Sequence, residues 1–215
     1  MEKKISLQQL KYGSYCNYSP RGVSELSEQS QRLCNRVKRN NPPDTYQKAS
    51  KHLAENSEAS CLHEFLNPEA VLVPVPSSSP LNEPKSFWSS RDLALAMVEA
   101  GLGKEVVIAL ERVTPVPKSA FAQHGERPTV EDHLASIEVV KDLPEGASIV
   151  LVDDVVTKGA TVFASASLLS ESVRRLTLHA FALIRTQGLV DEIAEVIEPS
   201  IGNVEYRDNK VFREP

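Results

Sequence analysis

The spacing of apolar positions changes character near residue 70. Upstream, Leu26, Leu33, Cys34 and Val37 fall on one side of a helix that Ser24 can N-cap and that should stop at Asn40, Asn41 and Pro42. Asp44 can cap a second helix running toward Glu55, and nothing in this third of the chain alternates with the period of two expected of a strand. Residues 1–68 therefore read as a helical N-terminal extension. Downstream, residues 71–75, 105–110, 148–152 and 178–184 are apolar or β-branched runs of strand length, each bounded by breakers. Between the first two, Leu93, Ala96, Met97 and Ala100 recur at helical spacing, and Gly101 and Gly103 end that helix. Strand, helix, strand implies parallel pairing. Residues 136–140 and 148–152, joined by a turn with Pro144 and Gly146, read instead as an antiparallel hairpin. The expected fold is α/β, a mostly parallel central sheet flanked by helices, with residues 69–215 as its core. Such sheets take their ligands at the carboxyl ends of the strands.

Composition narrows the classes. At 215 residues and 41% hydrophobic, the chain suits one ordinary domain, or one domain with a small appendage. No apolar run approaches the roughly 20 residues needed to cross a bilayer. The opening MEKKISLQQLKYGSY has charges without the apolar stretch of a signal peptide, so a cytoplasmic location with no membrane contact is expected. Cys16, Cys34 and Cys61 match neither a disulfide framework nor zinc-ligand spacing. A net charge of −5 disfavours the whole molecule as a polyanion binder, yet residues 1–52 carry +6. That stretch is either a solvated helix face or a contact surface for nucleic acid or a protein partner.

Chemistry concentrates in residues 149–161, IVLVDDVVTKGAT: a buried strand, two adjacent acids at its end, then a short polar loop opening a helix. Asp153 and Asp154 can accept hydrogen bonds from paired hydroxyls, and Gly159 lets the backbone approach an anion. Thr157, Lys158, Gly159, Ala160 and Thr161 lead into a helix whose first N–H groups favour phosphate. An acidic pair followed by an anion nest describes a reader of ribose 5-phosphate. A Walker B strand would need G-x-x-x-x-G-K-[ST] upstream, and the nearest stretch, Gly101 to Lys104, lacks both the spacing and the final hydroxyl, so it reads as a helix C-cap. No G-x-G-x-x-G follows a strand, and a receiver domain would place its acids nearer the start of the fold.

VLVDDVVTKGAT resembles the phosphoribosyl-diphosphate (PRPP) signature of type I phosphoribosyltransferases, with Lys158 where that family often has a small hydroxyl residue. VLVPVPSSSP, residues 71–80, is similar to the family's first core strand and pyrophosphate loop, especially in its ComF-like branch; Ser77, Ser78 and Ser79 would line that loop. Residues 109–139 resemble the second strand, mobile catalytic loop and return strand, whose cations would be Arg112, Lys118 and Arg127. The resemblance runs from residue 71 to residue 185 and implies the type I phosphoribosyltransferase fold, with residues 1–68 as a hood over the acceptor. It also implies transfer of phosphoribosyl from PRPP to a nitrogenous small-molecule acceptor with release of pyrophosphate, Mg²⁺ as cofactor held by Asp153 and Asp154, and a homo-oligomer.

Transfer leaves an oxocarbenium-like sugar and a leaving pyrophosphate, so carboxylates suit one end and cations the other. Residues 115–128 read as a lid closing over that intermediate, or as an ordinary surface loop. His124 and His133 stay outside the catalytic set, because a lone loop histidine is usually solvated. Phe87, Trp88 and Phe121 can stack on a base, but packing is their commoner role. The rival reading is a catalytically silent protein that binds PRPP or a nucleotide as a regulatory ligand while its basic N-terminal region meets a partner.

Overall fold

The computed structural model of the chain describes residues 5, 7–57, 60–80, 87–117, 127–173, 177–188, 190 and 192–214. Continuous apolar runs build the centre. β2 (Val71–Pro74), β6 (Ser148–Val156) and β7 (Thr177–Thr186) pair in parallel and are covered on both faces, which is why their sequences run apolar instead of alternating. Ile149 and Leu151 of β6 join one core with α4 (Val130–Ser136) and α5 (Ala160–Ser172). Val150 and Val152 join a second core with α1 (Glu25–Arg39), α2 (Thr45–Ser57) and α3 (Ser89–Glu99). The sheet has seven strands in the order β3-β2-β6-β7-β1-β8-β9. The first five are parallel, and β8 (Ile197–Arg207) and β9 (Lys210–Glu214) close one edge as an antiparallel hairpin.

Local signals fix the helix ends. Ser24 caps α1 by accepting from the Ser27 N–H, and Asn40 stops it in the left-handed region. Gly101, at φ 81°, ends α3 as expected of a C-cap. Thr129 and Asp132 cap α4 reciprocally. Among the described residues no helix is long and apolar enough to cross a membrane.

Three expectations are corrected. The N-terminal third is not wholly helical: residues Gln9–Tyr18 form β1, which lies inside the sheet between β7 and β8. Its alternation is hidden because Leu10 and Tyr12 face one core while the successive Tyr15 and Cys16, across a register shift between Ser14 and Cys16, both face the other. Residues 137–139 do not pair with β6. They form β5 (Ile137–Val139) and pair antiparallel with β4 (Leu110–Arg112) in a separate two-stranded sheet. The run at 105–110 therefore splits, with only β3 (Glu105–Val106) remaining beside β2.

Candidate functional site

β6 carries the acidic pair to the carboxyl edge of the sheet. Its pleat changes phase there: by alternation Val155 should face the same core as Ile149 and Leu151, but it packs with the second core and Val156 joins the first. Asp153 and Asp154 occupy the change of phase, so two sequential carboxylates come together instead of facing opposite sides. Each uses an oxygen to accept the next backbone N–H, Asp153 from Asp154 at 2.9 Å and Asp154 from Val155 at 2.9 Å. Burial, followed by the neighbouring Asp154 charge, holds the Asp153 carboxyl well above the usual carboxylate range. The Asp154 charge is also felt at Cys34 and Tyr46, whose own burial is the larger cause of their raised values, so α1 and α2 cover the pair from the second-core side.

The loop that follows is open. Gly159 is left-handed at φ 88°, and a Cβ there would stand 3.0 Å from both methyls of Val204 on β8, so glycine is required twice over. Among the described residues, no protein acceptor takes the backbone N–H of Lys158, Gly159, Ala160 or Thr161. These amides sit at the start of the 13-residue α5, where the helix dipole adds positive potential. Arg213 of β9 holds the loop from behind, donating to the Thr157 carbonyl at 2.7 Å, to the Tyr12 hydroxyl at 2.7 Å and to the Thr186 carbonyl. Arg127, Asp153, Thr157, Lys158, Gly159, Ala160 and Thr161 are among the residues lining a pocket of about 120 Å³. Drug-sized ligands fill roughly 300–1,000 Å³. The pocket therefore suits a phosphate-sized group with the rest of a ligand lying outside it.

The neighbouring loop after β2 is tied down. Ser77 Oγ donates to the Ser79 carbonyl at 2.6 Å, and the Ser78 carbonyl accepts from Val116 at 3.0 Å. The Val75 carbonyl accepts from Trp88 Nε1 and Ser90 Oγ. Trp88 is thereby a core residue, whereas the exposed Phe87 stacks on Tyr46 at 6.5 Å. Arg112, 4% exposed, donates from Nε to the Ser77 carbonyl at 2.8 Å and from Nη1 to Ser136 Oγ at 2.5 Å. Burial lowers its guanidinium to about 10.

The structure thus gathers Asp153, Arg127, Thr157, Lys158, Gly159, Ala160 and Thr161 around one pocket, with Asp154 beside it. Ser77, Ser78, Ser79 and Arg112 do not line that pocket, and Lys118, His124 and Phe121 lie outside the described residues. Sequence reasoning passed over Arg213 and His133. A Thr129-x-x-Asp132 capping box was the signal that moves His133 from a loop onto a helix.

No protein-family model matches this chain, and no curated protein matches its sequence. Among solved structures it is similar to a hypoxanthine phosphoribosyltransferase from Staphylococcus aureus, at 10% identity and a TM-score of 0.39 over 70% of each chain. A hypoxanthine phosphoribosyl transferase from Trypanosoma cruzi is similar at 16% identity and a TM-score of 0.34, over 77% of this chain and 72% of that one. At those scores the likeness decides nothing about this chain.

Proposed function

We propose that this chain is a PRPP-dependent phosphoribosyltransferase of the type I fold, in its ComF-like branch, that transfers phosphoribosyl to a nitrogenous acceptor and releases pyrophosphate. The observation that carries the reading is an acidic pair followed at once by a loop with four unengaged amides, at the carboxyl end of a central parallel strand. In this reading the amides of residues 158–161 hold the 5-phosphate and Asp153 and Asp154 accept from the ribose hydroxyls. Arg127 and Lys118 would face the leaving diphosphate, with Ser77, Ser78 and Ser79 on the adjoining loop. Arg112, buried and engaged, would act by fixing that loop in place.

Two adjacent carboxylates, one of them disfavoured as an anion beside the other, fit a hard divalent cation. Among the described residues no cluster of three or more His, Cys, Asp or Glu competes as a metal site. Mg²⁺ is usually held by one or two carboxylates together with ligand phosphates, and bound there it would neutralise charge on the diphosphate. The test is incubation with PRPP, Mg²⁺ and a panel of bases and nucleotides. Pyrophosphate release that disappears in Asp153→Asn/Asp154→Asn supports the transferase, and no release with any acceptor contradicts it.

A second reading, a PRPP-binding regulator, draws on the last turn of α1, where Arg36 and Arg39 line a surface depression with Asn35 and Asn41. PRPP binding without turnover supports it, as does a nucleic-acid affinity that falls steeply with salt and weakens when Arg32, Arg36, Lys38 and Arg39 are neutralised.

A further inference from the structure

A chain of side chains links the two loops and ends on the hydroxyl of Thr161, a residue whose own amide is one of the open ones. Arg112 Nη1 lies 3.3 Å from His133 Nδ1, and His133 Nε2 lies 3.1 Å from Thr161 Oγ1. A guanidinium has donors only, so Nδ1 must accept. A neutral imidazole then carries its proton on Nε2, which donates to the Thr161 hydroxyl. Burial, followed by the Arg112 charge, pushes His133 down to about 4, and the ring is neutral at neutral pH. With one lone pair taken by Nε2–H, the Thr161 hydroxyl has its own proton left to give. Among the described residues no protein acceptor receives it, and Thr161 lines the pocket at the start of α5.

We propose that His133 is a positioning residue: it fixes the rotation of the Thr161 hydroxyl so that its proton points at an anion held by the loop of residues 157–161. This rests on the phosphate reading of that loop. His133 is 3% exposed and does not line the pocket, so it acts through Thr161 and not on the ligand. Because Arg112 also donates to the Ser77 carbonyl, the same chain sets the spacing between the tied loop and the open one.

The test has two parts, both on the full chain. In the first, nitrogen-15 spectra of the imidazoles at neutral pH should show His133 protonated on Nε2 and bare on Nδ1. A proton on Nδ1, or on both nitrogens, overturns the inference. In the second, ribose 5-phosphate affinity is measured for wild type, His133→Phe, Thr161→Ala and the double variant, with His133→Gln as the conservative replacement. One lost charge-assisted hydrogen bond is expected to weaken binding about tenfold in either single variant. The double variant should be no weaker than Thr161→Ala, and His133→Gln should recover part of the loss. Single losses that multiply in the double variant, or a wild type that does not bind ribose 5-phosphate, overturn it. Wild-type binding with the expected non-additivity but no pyrophosphate release from PRPP would defeat the transferase reading and leave this one standing.

Discussion

Two loops leave the carboxyl edge of the sheet from adjacent parallel strands, and the protein holds them differently. After β2, the carbonyls of residues 75, 77, 78 and 79 all accept from the protein, from Trp88, Ser90, Arg112, Val116 and the Ser77 hydroxyl, so the course of this loop is fixed through its carbonyls. After β6, residues 158–161 keep their amides unengaged among the described residues, around a glycine that no other residue can replace without strain. The serine run looks more polar on paper. Yet the Ser77 hydroxyl is already given to the Ser79 carbonyl, whereas the unpaired amides after β6 stand at the start of the 13-residue α5, where the helix dipole adds positive potential for an anion. The tied loop is scaffold for the open one, and Arg112 and His133 are the link between them.

The largest effect is expected on the scaffold. Arg112→Met leaves the Ser77 carbonyl, Ser136 and His133 short of a buried partner and should cost about 4 kcal/mol of stability, read by denaturant unfolding. A loss under about 1 kcal/mol would mean that the loop is not held by this residue.

Next comes pH. His133 has a folded-state value of about 4 against an ordinary 6.5, so the fold disfavours its protonation. A depressed value contributes stability that is full above pH 6.5 and lost as pH falls toward 4, a total of about 3 kcal/mol. Burial pushes the ring in that direction, the Arg112 charge adds to it and Asp132 opposes both. His133→Gln should flatten this acid limb in unfolding experiments across the window, and an unchanged limb would place the titration elsewhere.

On the open loop, Gly159→Ala puts a side chain into the left-handed region and against Val204, at about 2 kcal/mol of stability, and ribose 5-phosphate affinity should fall with it. The smallest effect is expected from Ser78→Ala, which among the described residues is bonded through its carbonyl and not its hydroxyl: within about 0.5 kcal/mol in stability. An equal response to Gly159→Ala and Ser78→Ala would erase the distinction between the loops.

Much of the open side was legible in the sequence, because burial on both faces forces β6 into an unbroken apolar run and the two acids mark where burial ends. The tied side was less so, since three serines do not say what their neighbours bond. β1 was illegible for a related reason: its buried positions include Gly13, Ser14 and Asn17, and a bulge reverses its faces midway. Gly13 is small because Leu62 occupies the place of its missing side chain, with Cδ2 2.6 Å from where a Cβ would be. The supposed turn with Pro144 and Gly146 is a connection between sheets, because β5 finds β4, a partner 25 or more residues upstream that local pattern does not reveal. Arg213 clamps the loop from more than 50 residues away, a contact that local pattern does not reveal.

In the proposed reading the amides of residues 158–161 receive a sugar phosphate. Titrating nitrogen-15-labelled protein with PRPP and Mg²⁺, and following the backbone amide spectrum, tests it most directly. The amides of Lys158, Gly159, Ala160 and Thr161 should shift saturably and more than any others of the described residues, and their silence at a saturating excess of PRPP would contradict it.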